Sequence, residues 1–222
     1  MAWTAAITDD LDGALRETAV SLKELRGQDE PLWTAAALVT LGALETAAGR
    51  YDDALRHLSE MRDLAERSGN ARLTAASRVQ LGTLAVMRGR PDEARALLDE
   101  ALEMSLEIHI TRNVTLILGA FAQLALTEGE PERAALLARA AEGLQRRAGL
   151  RAWPMLRRGE TELAAQIRQA LGAGRFDQVY AAGARLSQRQ AVAAARDQPG
   201  AQILASDPAD GSMRQRPGWP GR

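Results

Sequence analysis

Gly89-Arg90-Pro91-Asp92-Glu93-Ala94 is the stretch on which the fold turns. Forty residues later it returns as Gly129-Glu130-Pro131-Glu132-Arg133-Ala134, and forty residues earlier as Gly49-Arg50-Tyr51-Asp52-Asp53-Ala54. Each copy carries a glycine, which takes the left-handed conformation that ends a helix without steric cost. A proline or aromatic residue then opens the next helix, and proline suits the first turn because its missing N–H has no intrahelical acceptor there. Acidic side chains follow, where they meet the positive end of the helix dipole. The stretch is a helix–turn–helix connection, and it is written three times.

Working outward, the columns hold over Thr34–Leu73, Thr74–Asn113 and Val114–Trp153 without a gap. Leu41/Leu81/Phe121 and Leu44/Leu84/Leu124 match before the turn, and Ala54/Ala94/Ala134 after it. In the first unit Leu38, Leu41, Leu44 and Ala48 mark one apolar helical stripe, and Ala54, Leu58, Met61 and Leu64 mark the next. A fixed period of this length marks a solenoid, in which each unit buries its apolar face only against its neighbours. The predicted fold is all-α: a right-handed α-solenoid of helix pairs with a forty-residue period and a C-terminal helical cap. Its divisions are a partial first repeat over 1–33, three repeats over 34–153, capping helices over 154–197 and a disordered tail over 198–222.

Both ends depart from the period. Ala14 and Leu15-Arg16 precede Ala54 and Leu55-Arg56 in step, so the chain reads as starting inside a repeat, with Ala2–Ile7 as half a helix. After Trp153-Pro154 the register lapses. A helical pattern resumes with Leu163, Ile167, Ala170 and Leu171, then stops at Gly172. A short helix follows with Phe176, Val179 and Tyr180, and Ser187 with Gln190 forms a capping box for a last one. The stretch from Gln198 holds four of the eight prolines and keeps no periodicity.

Composition narrows the function classes. With 222 residues and 46% apolar content the chain can bury a core of domain size. A net charge of −1 provides no global field that would steer it to nucleic acid or an anionic membrane. The absence of cysteine removes disulfides, thiolate metal sites and a cysteine nucleophile, and fits a reducing compartment. No apolar run reaches the length of a membrane-spanning helix. The expectation is a cytoplasmic protein that touches neither nucleic acid nor membrane.

The columns Leu41-Gly42, Gly49, Tyr51, Ala54 and Leu58, repeated as Leu81-Gly82, Gly89, Ala94 and Leu98, resemble the tetratricopeptide repeat. The unit is longer than that repeat's usual 34 residues, and Leu38, Arg78 and Leu118 stand where its leading tryptophan is usual. Leu171-Gly172, Phe176, Gly183, Leu186-Ser187 and Ala191-Val192 resemble the end of MalT-like tetratricopeptide regions in bacterial NTPase-containing regulators. Some members of that group carry a LuxR-type or SARP-type DNA-binding domain. The phosphate-binding loop G-x-x-x-x-G-K-[ST] of their NTPase module has no counterpart here, and neither does a basic recognition helix.

Catalytic residues are not evident. His57 falls in the column of Leu97 and Leu137, and His109 in the connection opposite Gly69 and Gly149. Without a shared column or a carboxylate fixed beside them they read as structural or solvated. No enzyme, cofactor or metal site is expected. The resemblance implies that the first helix of each pair lines a concave groove, assigned to Ala36, Val39, Ala43 and Thr46; to Val79, Thr83, Val86 and Met87; and to Leu116, Gln123 and Leu126. That lining is small and apolar and suits an amphipathic helix or an extended apolar segment. Three uses stay open: a protein or peptide partner, a small-molecule inducer lodged between repeats, and self-association.

Overall fold

The computed structural model describes residues 10–28, 30–150 and 154–196, and among these it contains ten helices and no strand. The expected half-helix at Ala2–Ile7, Trp153, and the tail from 198 onward lie outside the described residues. Helix α1 spans Leu11–Arg26. Three pairs follow: α2 (Pro31–Ala47) with α3 (Tyr51–Ser68), α4 (Ala71–Met87) with α5 (Pro91–Glu107), and α6 (Thr111–Thr127) with α7 (Pro131–Arg147). Then come α8 (Pro154–Leu171), α9 (Ala173–Gly183) and α10 (Gln188–Ala195).

The first helices begin at Pro31, Ala71 and Thr111, three residues ahead of the boundaries read from the columns. Thr34 already lies inside α2, where its hydroxyl donates to the Glu30 carbonyl. Each first helix packs on its own second helix, and each second helix on the next first helix. Successive first helices also touch, α2 on α4, α4 on α6 and α6 on α8. This unit-to-unit stacking is what makes the molecule an array rather than a bundle.

The turns explain why the period is so regular. The Arg90 N–H donates to the Ala85 carbonyl at 2.9 Å, and the same bond joins Arg50 to Glu45 and Glu130 to Ala125, both at 2.8 Å. Such a bond needs a left-handed residue just before its donor, and Gly89 supplies it at φ 68°. The connection between the second and third units is an exception, because the non-glycine residue His109 holds φ 55° there. Ala54, Ala94 and Ala134 are fully buried where the two helices of a pair cross. Ion pairs tie each unit to the next along the turn edge: Asp12–Arg50, Asp52–Arg88, Arg95–Glu128 and Glu132–Arg175. Most are exposed, so each adds little to stability.

The C-terminal helices do not simply add another pair. Helix α8 extends the layer of first helices, packing on α7 and α6 and burying Leu163 and Ile167. The array thus gains one helix beyond the point where the sequence register lapses. Helix α9 lies along α7 in the same direction. Arg175 bonds Glu132 near the start of α7, and Arg147 at its end donates to the Ala184 and Leu186 carbonyls. The approach is close, since a Cβ on Gly183 would come within 2.5 Å of the Leu136 carbonyl oxygen. Helix α10 then runs back along α7, and Arg133 donates to the carbonyls of Ala194 at 3.1 Å and Ala195 at 2.7 Å. Arginine at a helix C-terminus satisfies carbonyls that lack an intrahelical donor.

The reason lies in three columns. Helix α5 exposes Ala96, Glu100 and Glu103, whereas α7 has Leu136, Ala140 and Gly143 at the same positions, and all three are buried. An outer face that is solvated on the second unit is apolar and small on the third, and it needs a cover. Helices α9 and α10 are that cover, and the Ser187–Gln190 capping box starts α10 as the sequence suggests.

Candidate interaction surface

The layer α2–α4–α6 brings the sequence-assigned lining residues into successive forty-residue columns. Ala36 and Met87 are exposed, and Val39, Ala43, Thr83, Leu116, Gln123 and Leu126 are half-buried. Thr46, Val79 and Val86 are buried, so those three serve packing more than an open surface. Val79 and Val86 belong to the same apolar cluster as Ile117 and Phe121 of α6. The accessible strip therefore runs through Ala36, Ala43, Thr83, Met87 and Gln123.

The strip carries little charge. Helix α2 has a single charged residue, Glu45, and it is buried. In α4, Arg72 stands in the first turn and Arg78 donates to Glu100 of α5 at 2.7 Å. Arg78 therefore bridges the two helices of its pair at the position where the repeat's tryptophan is usual. In α6 the only charge is Arg112, also in the first turn. The threonine hydroxyls are spent on their own helices, Thr46 donating to the Gly42 carbonyl and Thr83 to that of Val79. What the strip offers a ligand is small apolar surface with the Gln123 amide.

The structure corrects one reading of the sequence. His57 has a carboxylate beside it, because its Nδ1 lies 2.8 Å from Glu45 Oε2 and 3.1 Å from Oε1. Both side chains are largely buried between α2 and α3. A carboxylate-oriented imidazole is two parts of a nucleophilic triad, but the third part needs a hydroxyl or thiol on Nε2. Thr40 and Thr46, the hydroxyls of α2 nearest in sequence to Glu45, donate to carbonyls of their own helix. In the other two units the same positions hold Ala85 with Leu97 and Ala125 with Leu137, so the pair fills a hairpin interior.

A second polar cluster, unread from the sequence, joins α7, α8 and α9. The Tyr180 hydroxyl donates to Glu142, which also accepts from Arg139 at 2.6 Å. The Arg139 guanidinium lies 5.3 Å from the centre of the Tyr180 ring. Gln145 donates to Glu160 at 3.1 Å. Burial pushes the Tyr180 phenol well above its ordinary range, and the Glu142 carboxylate beside it pushes it the same way. Burial also raises Glu160, against the lowering effect of the Gln145 amide. The cluster fastens α9 to the array. No group of three or more histidine, cysteine, aspartate or glutamate side chains among the described residues is placed to hold a metal ion. None of their helices is long and apolar enough to cross a membrane.

An all-α array of stacked helix pairs, with a strip of little charge along its first helices, is the architecture of a repeat scaffold. Within that class, the family model of the tetratricopeptide repeat matches residues 33–107, which run from α2 to α5. Repeats of that family in general mediate protein–protein interaction. No curated protein and no solved structure matches the chain.

Proposed function

We propose that the chain is a non-catalytic interaction scaffold that takes an uncharged partner segment along its first helices. The observation that carries the reading is the strip from Ala43 through Thr83 to Gln123, which keeps its column over three units and has no charge at its centre. A partner segment there would bury apolar surface without desolvating an ion, and charge on it would find no counterpart. The scaffold's context is that of the bacterial NTPase-containing regulators whose closing motif the C-terminal helices resemble. In that setting the array serves as the signal-input segment.

A displayed library of helical and extended peptides, selected on the whole chain, tests the reading. The expected outcome is recovery of uncharged apolar sequences whose affinity falls at least tenfold on Thr83→Glu or Gln123→Glu. Binders indifferent to both substitutions would move the site elsewhere. Stabilisation by a metabolite alone, with no peptide recovered, would favour the inducer reading. An in-frame NTPase module encoded upstream would support the regulator context.

A further inference from the structure

Two contacts gather three helix ends at one edge of the array. In the last turn of α7, Arg147 donates to the Leu186 carbonyl at 2.8 Å, in the connection from α9 to α10. In the same turn Gln145 donates to Glu160 of α8 at 3.1 Å. Arg146, Arg147, Arg157, Arg158, Arg185 and Arg189 each lie within three residues of one of these contacts, and all six are exposed. No acidic residue stands among 143–150, 154–159 or 183–190.

The carboxylates that border this edge are already engaged. Glu142 accepts from Arg139 and Tyr180, Glu160 from Gln145, and Glu162 from Arg158 at 3.0 Å. No ion pair among the described residues engages Arg146, Arg185 or Arg189. Arg147 spends its bonds on neutral carbonyls, which leave its charge uncompensated. The two preceding connections mix signs instead, with Glu66 beside Arg67 and Arg72, and Glu107 beside Arg112.

We propose that this edge, where the end of α7, the start of α8 and the α9–α10 turn meet, is a docking site for a short acidic segment of a partner protein. Guanidinium forks pair with carboxylates through two parallel hydrogen bonds, which suits aspartate and glutamate side chains. The size of the patch selects a peptide. Neighbouring helix axes lie about 8–10 Å apart, so three helix ends span about 20 Å, the length of about six extended residues. A nucleic acid or an anionic membrane is the less suitable occupant, because its charge extends beyond the patch. The chain as a whole carries −1 at a pI of 6.2, so everything outside the patch is acidic and would be brought against that larger surface. At physiological salt the field of the patch fades within about 8 Å, which confines it to a ligand small enough to sit on it. The pairs are exposed, so binding is weak and sensitive to salt. The Thr83–Gln123 strip takes no part, and this inference stands or falls apart from the proposed function.

The probe is a synthetic peptide of about six alternating aspartate and glutamate residues, titrated by calorimetry into the whole chain up to about 1 mM. Binding is expected, with a loss of at least tenfold between low and high salt. Arg146→Glu combined with Arg185→Glu lowers the affinity at least tenfold, whereas Arg16→Glu, an equal change of sign on exposed α1, and Thr83→Glu leave it unchanged. All the altered arginines are exposed, and unchanged circular dichroism melts show that the fold survives. The absence of binding, or an equal loss with Arg16→Glu or Thr83→Glu, overturns the proposal. So does tighter binding of a single-stranded oligonucleotide of equal charge, or of phosphatidylglycerol vesicles, which would make the edge a nucleic-acid or membrane contact.

Discussion

Gly82 of α4 faces Leu98 of α5 so closely that a Cβ on the glycine would come within 2.8 Å of the leucine Cγ and Cδ2. Gly42 and Leu58 repeat the relationship at 2.5 Å. The third unit exchanges volume between the same columns, with Ala122 on the first helix and Ala138 on the second. Gly82→Leu should overpack the second unit and cost about 1–3 kcal/mol, as should Ala94→Leu at the other crossing point. Leu98→Ala should cost about 2–5 kcal/mol through the cavity it leaves. Adding Gly82→Ala to Leu98→Ala rebuilds the third unit's solution and should recover part of that loss. Denaturant midpoints around the cycle measure the coupling, and simple additivity would mean that the helices are not apposed at this point.

His109 holds a left-handed backbone at φ 55° in a column where Gly69 and Gly149 take φ 60° and 66°. An L side chain in that conformation costs about 1–2 kcal/mol that glycine does not incur. Part of the gain from His109→Gly is offset by the greater freedom of an unfolded glycine. The expected balance is a rise of about 2–4 °C in melting midpoint. Thermal unfolding of His109→Gly beside His109→Val checks the sign, because the β-branched residue should lower the midpoint.

Glu45 and His57 replace an apolar pair inside the first hairpin, and removing either partner strands the other away from water. Glu45→Ala alone should cost about 1–3 kcal/mol. Glu45→Ala with His57→Leu reproduces the second unit's Ala85 and Leu97, and should return stability to the parent level or above it. Equal losses for the single and double variants would show that the pair contributes through something other than its mutual bond.

Glu160 has its carboxyl raised above the ordinary 4.5 by burial, with the Gln145 bond and Arg157 opposing and Glu142 adding to it. The folded state therefore binds this proton more readily than the unfolded state. The stabilisation that follows is fully present below the unfolded value and is lost as pH rises through the folded one. Glu160→Gln, which can still accept from Gln145, should exceed the parent in melting midpoint at neutral pH and converge with it under acid. A neutral-pH midpoint below the parent's would show that the charged form is favoured there.

What could be read in the sequence was whatever the repeat states more than once. Three copies of the turn placed the helices to within three residues, and Gly42 with Gly82 marked the helix crossings before any distance was known. The departures were harder, because a single substitution has no column to support it. Glu45 stood out only as an acidic residue aligned with Ala85 and Ala125, and its partner, His57, differed from a different column. Aligning both changes within one unit was the signal for the pair, and it lay across the turn rather than along one helix. The cover formed by α9 and α10 was hidden for a related reason. The apolar change at Leu136, Ala140 and Gly143 says that something lies over α7 but not which segment. Among the assigned lining residues, Thr46, Val79 and Val86 were displaced inward because adjacent first helices pack more closely than a groove drawn from columns allows.

The return path of α10 also fixes where a downstream attachment would leave the body. Arg196 is held by Glu103 at 3.2 Å on the flank of the second unit, not at the far end of the array. A fluorophore or affinity handle joined after that residue would project from the middle of the molecule's side. Energy transfer between such a label and a probe near Asp10 would report the separation of the first helix from the second unit, not from the last helices of the array.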